Sequence, residues 1–288
     1  MPVEAAPVAG VAAGVPFVAV PPGTGPGAGA PVVVAWHLMD APRTETAFAA
    51  ALPLAGLDAW RIYLGLPMTG SRTPAGGAEE LMRLGYEDAV LNLYGPITAQ
   101  AAEEFRPALA DLRGRLDLGD GPLAVVGGSA GAAVAQLVLT DGAVEIDAAV
   151  LASPLVRLQP VVDAAARQYE FTYPWSDAAL AVARRLDFVA RADEIARRQP
   201  AVLLVVGGDD DAAGIQEPAA RLHDSLSSRY DDPARTALVT IPGMGHALAD
   251  EPGIEPAAQT EHAAQVDAHA VRWLTRHLVG DPDGLIRP

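Results

Sequence analysis

Three apolar runs, each ending in a glycine-containing turn that carries polar side chains, constrain this chain more than any other feature. Pro122-Leu123-Ala124-Val125-Val126 leads into Gly127-Gly128-Ser129-Ala130-Gly131, and then into the small-residue segment Ala132 to Leu139. The pattern reads as a buried strand, a tight turn and a helix. In G-x-S-x-G the turn is sharp enough that a side chain at either flanking glycine would meet neighbouring backbone. The serine hydroxyl is lifted out of the sheet, with a helix N-terminus behind it.

The second run, Ala201 to Val206, ends in Gly207-Gly208-Asp209-Asp210-Asp211. The third, Thr236 to Ile241, ends in Pro242-Gly243-Met244-Gly245-His246. Serine, aspartate and histidine therefore arrive in that order, each just past the C-terminal end of a predicted strand. A serine hydroxyl is a weak nucleophile until an adjacent base takes its proton, and an imidazole held by a carboxylate is the usual base. Glycines on both sides of Met244 give the histidine loop the freedom to bring its ring over Ser129.

This order and placement resemble the α/β-hydrolase superfamily, over nearly the whole chain. The resemblance implies an α/β fold, a mostly parallel twisted sheet with helices on both faces and a small helical cap insertion. It implies Ser129 as nucleophile and His246 as general base. The acid is expected at Asp211, by a G-x-x-D spacing counted from Gly208, with Asp210 as the alternative. The oxyanion hole needs two backbone N–H donors. One is expected at Ala130, immediately after the nucleophile. The other belongs to the loop Trp36-His37-Leu38-Met39-Asp40, where His37 matches the family's histidine and places the donor at Met39. Leu38 stands where glycine is usual, which makes its own amide the alternative donor. His37 is expected to be a structural hydrogen-bonding residue.

The same reasoning predicts a serine hydrolase that cleaves carboxylic esters of small molecules through an acyl-enzyme, like a carboxylesterase. An amidase or peptidase of the same fold is the alternative, because one triad serves both bonds. A catalytically silent hydrolase fold used for binding is a third reading. A dinucleotide binder fits poorly, since the glycines around Ser129 lack G-x-G-x-x-G spacing.

Composition narrows the rest. The 288 residues are expected to form one domain, 1–288, with 153–198 as the cap insertion. A net charge of −16 argues against nucleic acid and anionic membranes as partners. No cysteine is present, which removes thiolate nucleophiles, disulfides and cysteine-held metals. No cofactor or metal is expected. His262, His269 and His277 recur at seven and eight residues on one helix, without the i, i+4 pairing of a metal site. Every basic residue is arginine and alanine is abundant, which points to a bacterial, high-GC source. Met1 to Val20 lacks the basic start of a secretory signal, no apolar run reaches the roughly 20 residues of a membrane helix, and the cytoplasm is the expected location.

Alternating strand and helix patterns complete the reading. Strands are predicted at Val15–Val20, Pro31–Trp36, Ala59–Leu64 and Ala148–Ala152. Helices are predicted at Thr44–Leu52 (with Thr44 as cap), Thr98–Arg115, Asp177–Arg198 and Pro256–Leu278. Pro21 to Gly29 and Gly65 to Gly77 read as loops, the latter near the site. Tyr169, Phe171, Tyr173 and Trp175 cluster around Pro174, as either a pocket wall or ordinary packing.

Overall fold

Strand burial explains the architecture. In a computed structural model, which describes residues 6–25, 27 and 29–279, eight strands form one sheet in the order β1-β2-β4-β3-β5-β6-β7-β8. The strands are β1 (Val8–Ala12), β2 (Val15–Val20), β3 (Val32–Trp36), β4 (Trp60–Leu64), β5 (Leu123–Gly128), β6 (Ala148–Ala152), β7 (Ala201–Gly207) and β8 (Thr236–Ile241). β1, β2 and β4 pair antiparallel, and all later pairings are parallel. Every residue of β3 to β7 is buried. A parallel strand covered on both faces can be apolar throughout, which is why these segments read as unbroken runs.

Alternate residues of one strand serve two cores. Val32, Val34 and Trp36 join one apolar cluster, and Val33 and Ala35 join the other. The first is covered by α3 (Gly95–Leu116), α4 (Ala130–Asp141), α5 (Leu158–Gln168), α6 (Asp177–Arg185), α7 (Ala192–Ala196) and α8 (Glu217–Ser227). The second is covered by α1 (Glu45–Ala51) and α9 (Glu261–Leu274). The protein has the α/β-hydrolase fold, as the resemblance implied.

Several boundaries differ from expectation. The apolar start of the chain forms the β1–β2 hairpin at the sheet edge, and β1 was not foreseen because only one of its five residues is buried. α2 (Gly77–Ala89), whose backbone departs from helical geometry at Asp88, was not expected; none of its residues is fully buried. The single helix expected over Asp177–Arg198 is two, because Leu186 to Arg191 turns back to bond Val156 through the Phe188 amide. The last helix begins at Glu261, capped by Thr260, five residues later than Pro256. Thr44 does cap α1, accepting from the Ala47 amide at 3.1 Å. In the aromatic cluster, Tyr173 and Trp175 pack edge to face at 4.8 Å, and the Tyr173 hydroxyl donates to Asp88. Tyr169 and Phe171 face solvent. Pro26 and Ala28, within the predicted loop Pro21–Gly29, lie outside the described residues.

Candidate active site

Ser129 occupies a backbone conformation that L residues rarely adopt, φ 47° and ψ −113°. Such a position costs about 1–3 kcal/mol and persists only where surrounding structure enforces it. Here the enforcement is visible. The Ser129 amide donates to Ala152 of β6, and its carbonyl accepts from Ala133 and Leu155. A Cβ on Gly127 would collide with the Gly131 carbonyl, and one on Gly131 with the carbonyls of Trp36 and His37. These two glycines let the turn, helix α4 and the loop after β3 pack backbone to backbone.

That contact seats the oxyanion-loop candidates beside Ser129. Ala130 is fully buried as the first residue of α4, and Met39 is half-buried against the core. Neither backbone N–H donates to a protein acceptor among the described residues. The Leu38 side chain is buried against the Gly128 backbone. His37 is buried too, with Nδ1 donating to the Leu38 carbonyl at 2.6 Å and Nε2 accepting from the Leu66 amide at 3.1 Å. Burial depresses its imidazole to about 4, partly offset by the Leu38 bond. A neutral ring that ties the loop after β3 to the loop after β4 is a structural role.

The histidine loop is anchored by Met244, whose side chain is fully buried. Its carbonyl accepts from the Asp209 amide, and Gly208 donates to Ile241, so the turns after β7 and β8 are stitched together. His246 Nε2 lies 2.9 Å from Ser129 Oγ, and Nδ1 lies 2.9 Å from Asp210 Oδ2. With Nδ1–H donating to the carboxylate, Nε2 is free to accept the serine proton. Burial by itself would depress the His246 imidazole, and this is the largest single effect. The hydrogen bond and charge of Asp210, with a smaller contribution from Asp40, carry it above its ordinary value.

The acid expected at Asp211 is corrected by this geometry. Asp211 is exposed and turns its Oδ1 back to accept from the Gly214 amide at 2.5 Å, capping the single turn 212–216. The Asp210 side chain is only 4 % exposed. A G-x-x-D spacing counted from Gly207, the last residue of β7, selects it. Two residues went unassigned in the sequence. Gln216 braces the acid turn by donating to the carbonyls of Asp210 and Gly208, and nothing in the sequence marks it. Asp40 places Oδ2 3.7 Å from His246 Nε2, and its place in the loop after β3 was the available signal. His262, His269 and His277 take no part in the site, and no group of three potential metal ligands converges among the described residues.

A hydroxyl, an imidazole and a buried carboxylate at the C-terminal edge of this sheet define a serine hydrolase of the α/β-hydrolase fold. The sequence model of the prolyl oligopeptidase family matches residues 115–280, more than half of the chain, and the protein belongs to that family. No curated protein matches it by sequence. Its structure is similar to that of the Thermus thermophilus protein TT1662, with 18% identity and a TM-score of 0.66, covering 95% of this chain and 98% of that one. It is similar to a Mycobacterium tuberculosis puromycin-hydrolyzing peptidase at 20% identity and a TM-score of 0.63, covering 96% of this chain and 40% of the peptidase. It is also similar to the Pyrococcus furiosus esterase Pf2001 at 12% identity and a TM-score of 0.55, covering 95% and 92%. No helix among the described residues is long and apolar enough to cross a membrane.

Proposed function

We propose that Ser129, His246 and Asp210 act as a catalytic triad that cleaves carboxylic esters of small molecules through an acyl-enzyme. The observation that carries this reading is the continuous hydrogen-bonded line from Ser129 Oγ through His246 to the buried Asp210 carboxylate. His246 takes the serine proton as Oγ attacks the carbonyl carbon, and returns it to the leaving alcohol. Asp210 holds the ring tautomer and stabilises the imidazolium. The amides of Ala130 and Met39 are the donors for the oxyanion. Water, deprotonated by the same imidazole, then releases the acid. The segment 153–198 forms one wall of the substrate approach, within a single domain.

Amide or peptide cleavage is the second reading, favoured by membership of the prolyl oligopeptidase family and by the similarity to a puromycin-hydrolyzing peptidase. A fluorophosphonate label followed by peptide mapping tests the triad. Label is expected on Ser129 and absent from Ser129→Ala and His246→Ala. Turnover of a panel of short p-nitrophenyl esters and aminoacyl anilides then separates the two bond types. Label on another serine, or full turnover by Ser129→Ala, overturns the assignment.

A further inference from the structure

Asp40 is a second acidic side chain beside His246, and its charge adds only a small contribution to that of Asp210 in favouring the imidazolium. Its Oδ2 lies 3.7 Å from His246 Nε2, beyond hydrogen-bond distance, and the side chain is 55 % exposed. Both ring nitrogens are already engaged, Nδ1 by Asp210 and Nε2 by Ser129. Orientation of the imidazole is therefore complete without it. The carboxylate also stands one residue from the Met39 amide, beside the place where an oxyanion develops, and a negative charge there opposes that development.

Among the described residues Asp40 forms no ion pair with a guanidinium, while the nearby-in-sequence Arg43 pairs with Glu251. The chain has no lysine at all. Nor is the placement loose. The Ala41 carbonyl, next to Asp40, accepts from the Leu248 amide at 3.0 Å, which ties this loop to the histidine loop. A solvent-facing carboxylate at the nucleophile, without a guanidinium partner among the described residues, is a suitable environment for an ammonium group.

We propose that Asp40 is a subsite for a positively charged group on the substrate. The preferred substrates are then esters or amides with a protonated amine or quaternary ammonium close to the scissile carbonyl. The cation offsets the Asp40 charge at the moment the oxyanion forms, and substrates that carry a carboxylate there are excluded by like charge. This rests on the reading of Ser129 as nucleophile.

Matched pairs test it. Phenylalanine methyl ester is compared with methyl 3-phenylpropanoate, which lacks only the amine. Acetylcholine is compared with 3,3-dimethylbutyl acetate, its neutral counterpart on the alcohol side. In the native enzyme kcat/KM is expected to favour the cationic member of at least one pair by roughly tenfold or more, and less so as salt is raised. In Asp40→Asn that ratio is expected to fall about tenfold, and in Asp40→Glu to be partly kept. The exposed side chain makes loss of folding an unsuitable explanation, and thermal unfolding of the variants checks this. A ratio that is unchanged in Asp40→Asn, with both members slowed alike, means that Asp40 acts only through His246 and overturns the proposal. Absence of fluorophosphonate label on native Ser129 overturns the nucleophile itself. Label present with an unchanged ratio overturns the subsite alone.

Discussion

The carboxylate of Asp210 approaches His246 Nδ1 to 2.9 Å with its second oxygen occupied by the Asp211 amide at 2.8 Å. One residue further on, Asp211 has turned outward to cap a helical turn. Adjacent aspartates thus have opposite tasks, one electrostatic and one local.

Their variants are expected to separate cleanly. Asp210→Asn should lower kcat on the order of 10³–10⁴-fold, because the amide no longer holds the reactive tautomer. Asp211→Asn should keep turnover within a few-fold, and replacement by Ala should cost about 1 kcal/mol of stability through the lost cap. Steady-state ester hydrolysis and urea unfolding read the two effects, and the reverse ranking of activities would falsify the choice of acid.

The pH profile of kcat/KM reports the free imidazole. His246 is raised above 6.5, so activity should fall as pH drops through a midpoint above that value. In Asp210→Asn the raising contributions of that carboxylate are gone and burial acts nearly alone, so the midpoint should move to lower pH even though little activity is left. A variant midpoint at or above the native one contradicts this electrostatic account.

Gly131→Ala should destabilise the fold by about 2 kcal/mol or more, since both groups in its way, the Trp36 and His37 carbonyls, are backbone. Gly245→Ala, whose Cβ would meet nothing within 4 Å, should change stability by less than about 1 kcal/mol. Thermal unfolding of the pair decides the matter. Equal losses would mean that the close approach of α4 to the loop after β3 is not what the glycine secures.

Acid should weaken the fold through His37. Its folded value is about 4 and its unfolded value about 6.5, so the unfolded chain binds the proton first. Stability is therefore fully present above pH 6.5 and declines toward pH 4, by roughly 3 kcal/mol at most from this residue. His277, depressed to about 4 by burial and by Arg235, acts in the same direction. Urea unfolding at stepped pH, with NMR titration of the imidazoles, tests this. A His37 ring that titrates normally in the folded protein removes the cause.

The sequence by itself determined seven of the eight strands, β2 to β8, and the identity of two of the three side chains in the line. Strands buried on both faces must be apolar throughout, and turns that pass close to other backbone must use glycine. Both demands write themselves into short stretches such as Val125 to Gly131. The tertiary structure alone decided which aspartate meets His246. A change of one residue in a turn reverses where a side chain points, and the direction was set by Ile241 and Met244, more than thirty residues further along the chain, with Gln216 bracing the turn's carbonyls locally. The nearness of Asp40 to His246 likewise arises from a backbone bond between Ala41 and Leu248, 207 positions apart in numbering (248 − 41), and no local pattern encodes such a contact. Local physics leaves a local signature, whereas the rim of this site is assembled from loops whose positions depend on one another.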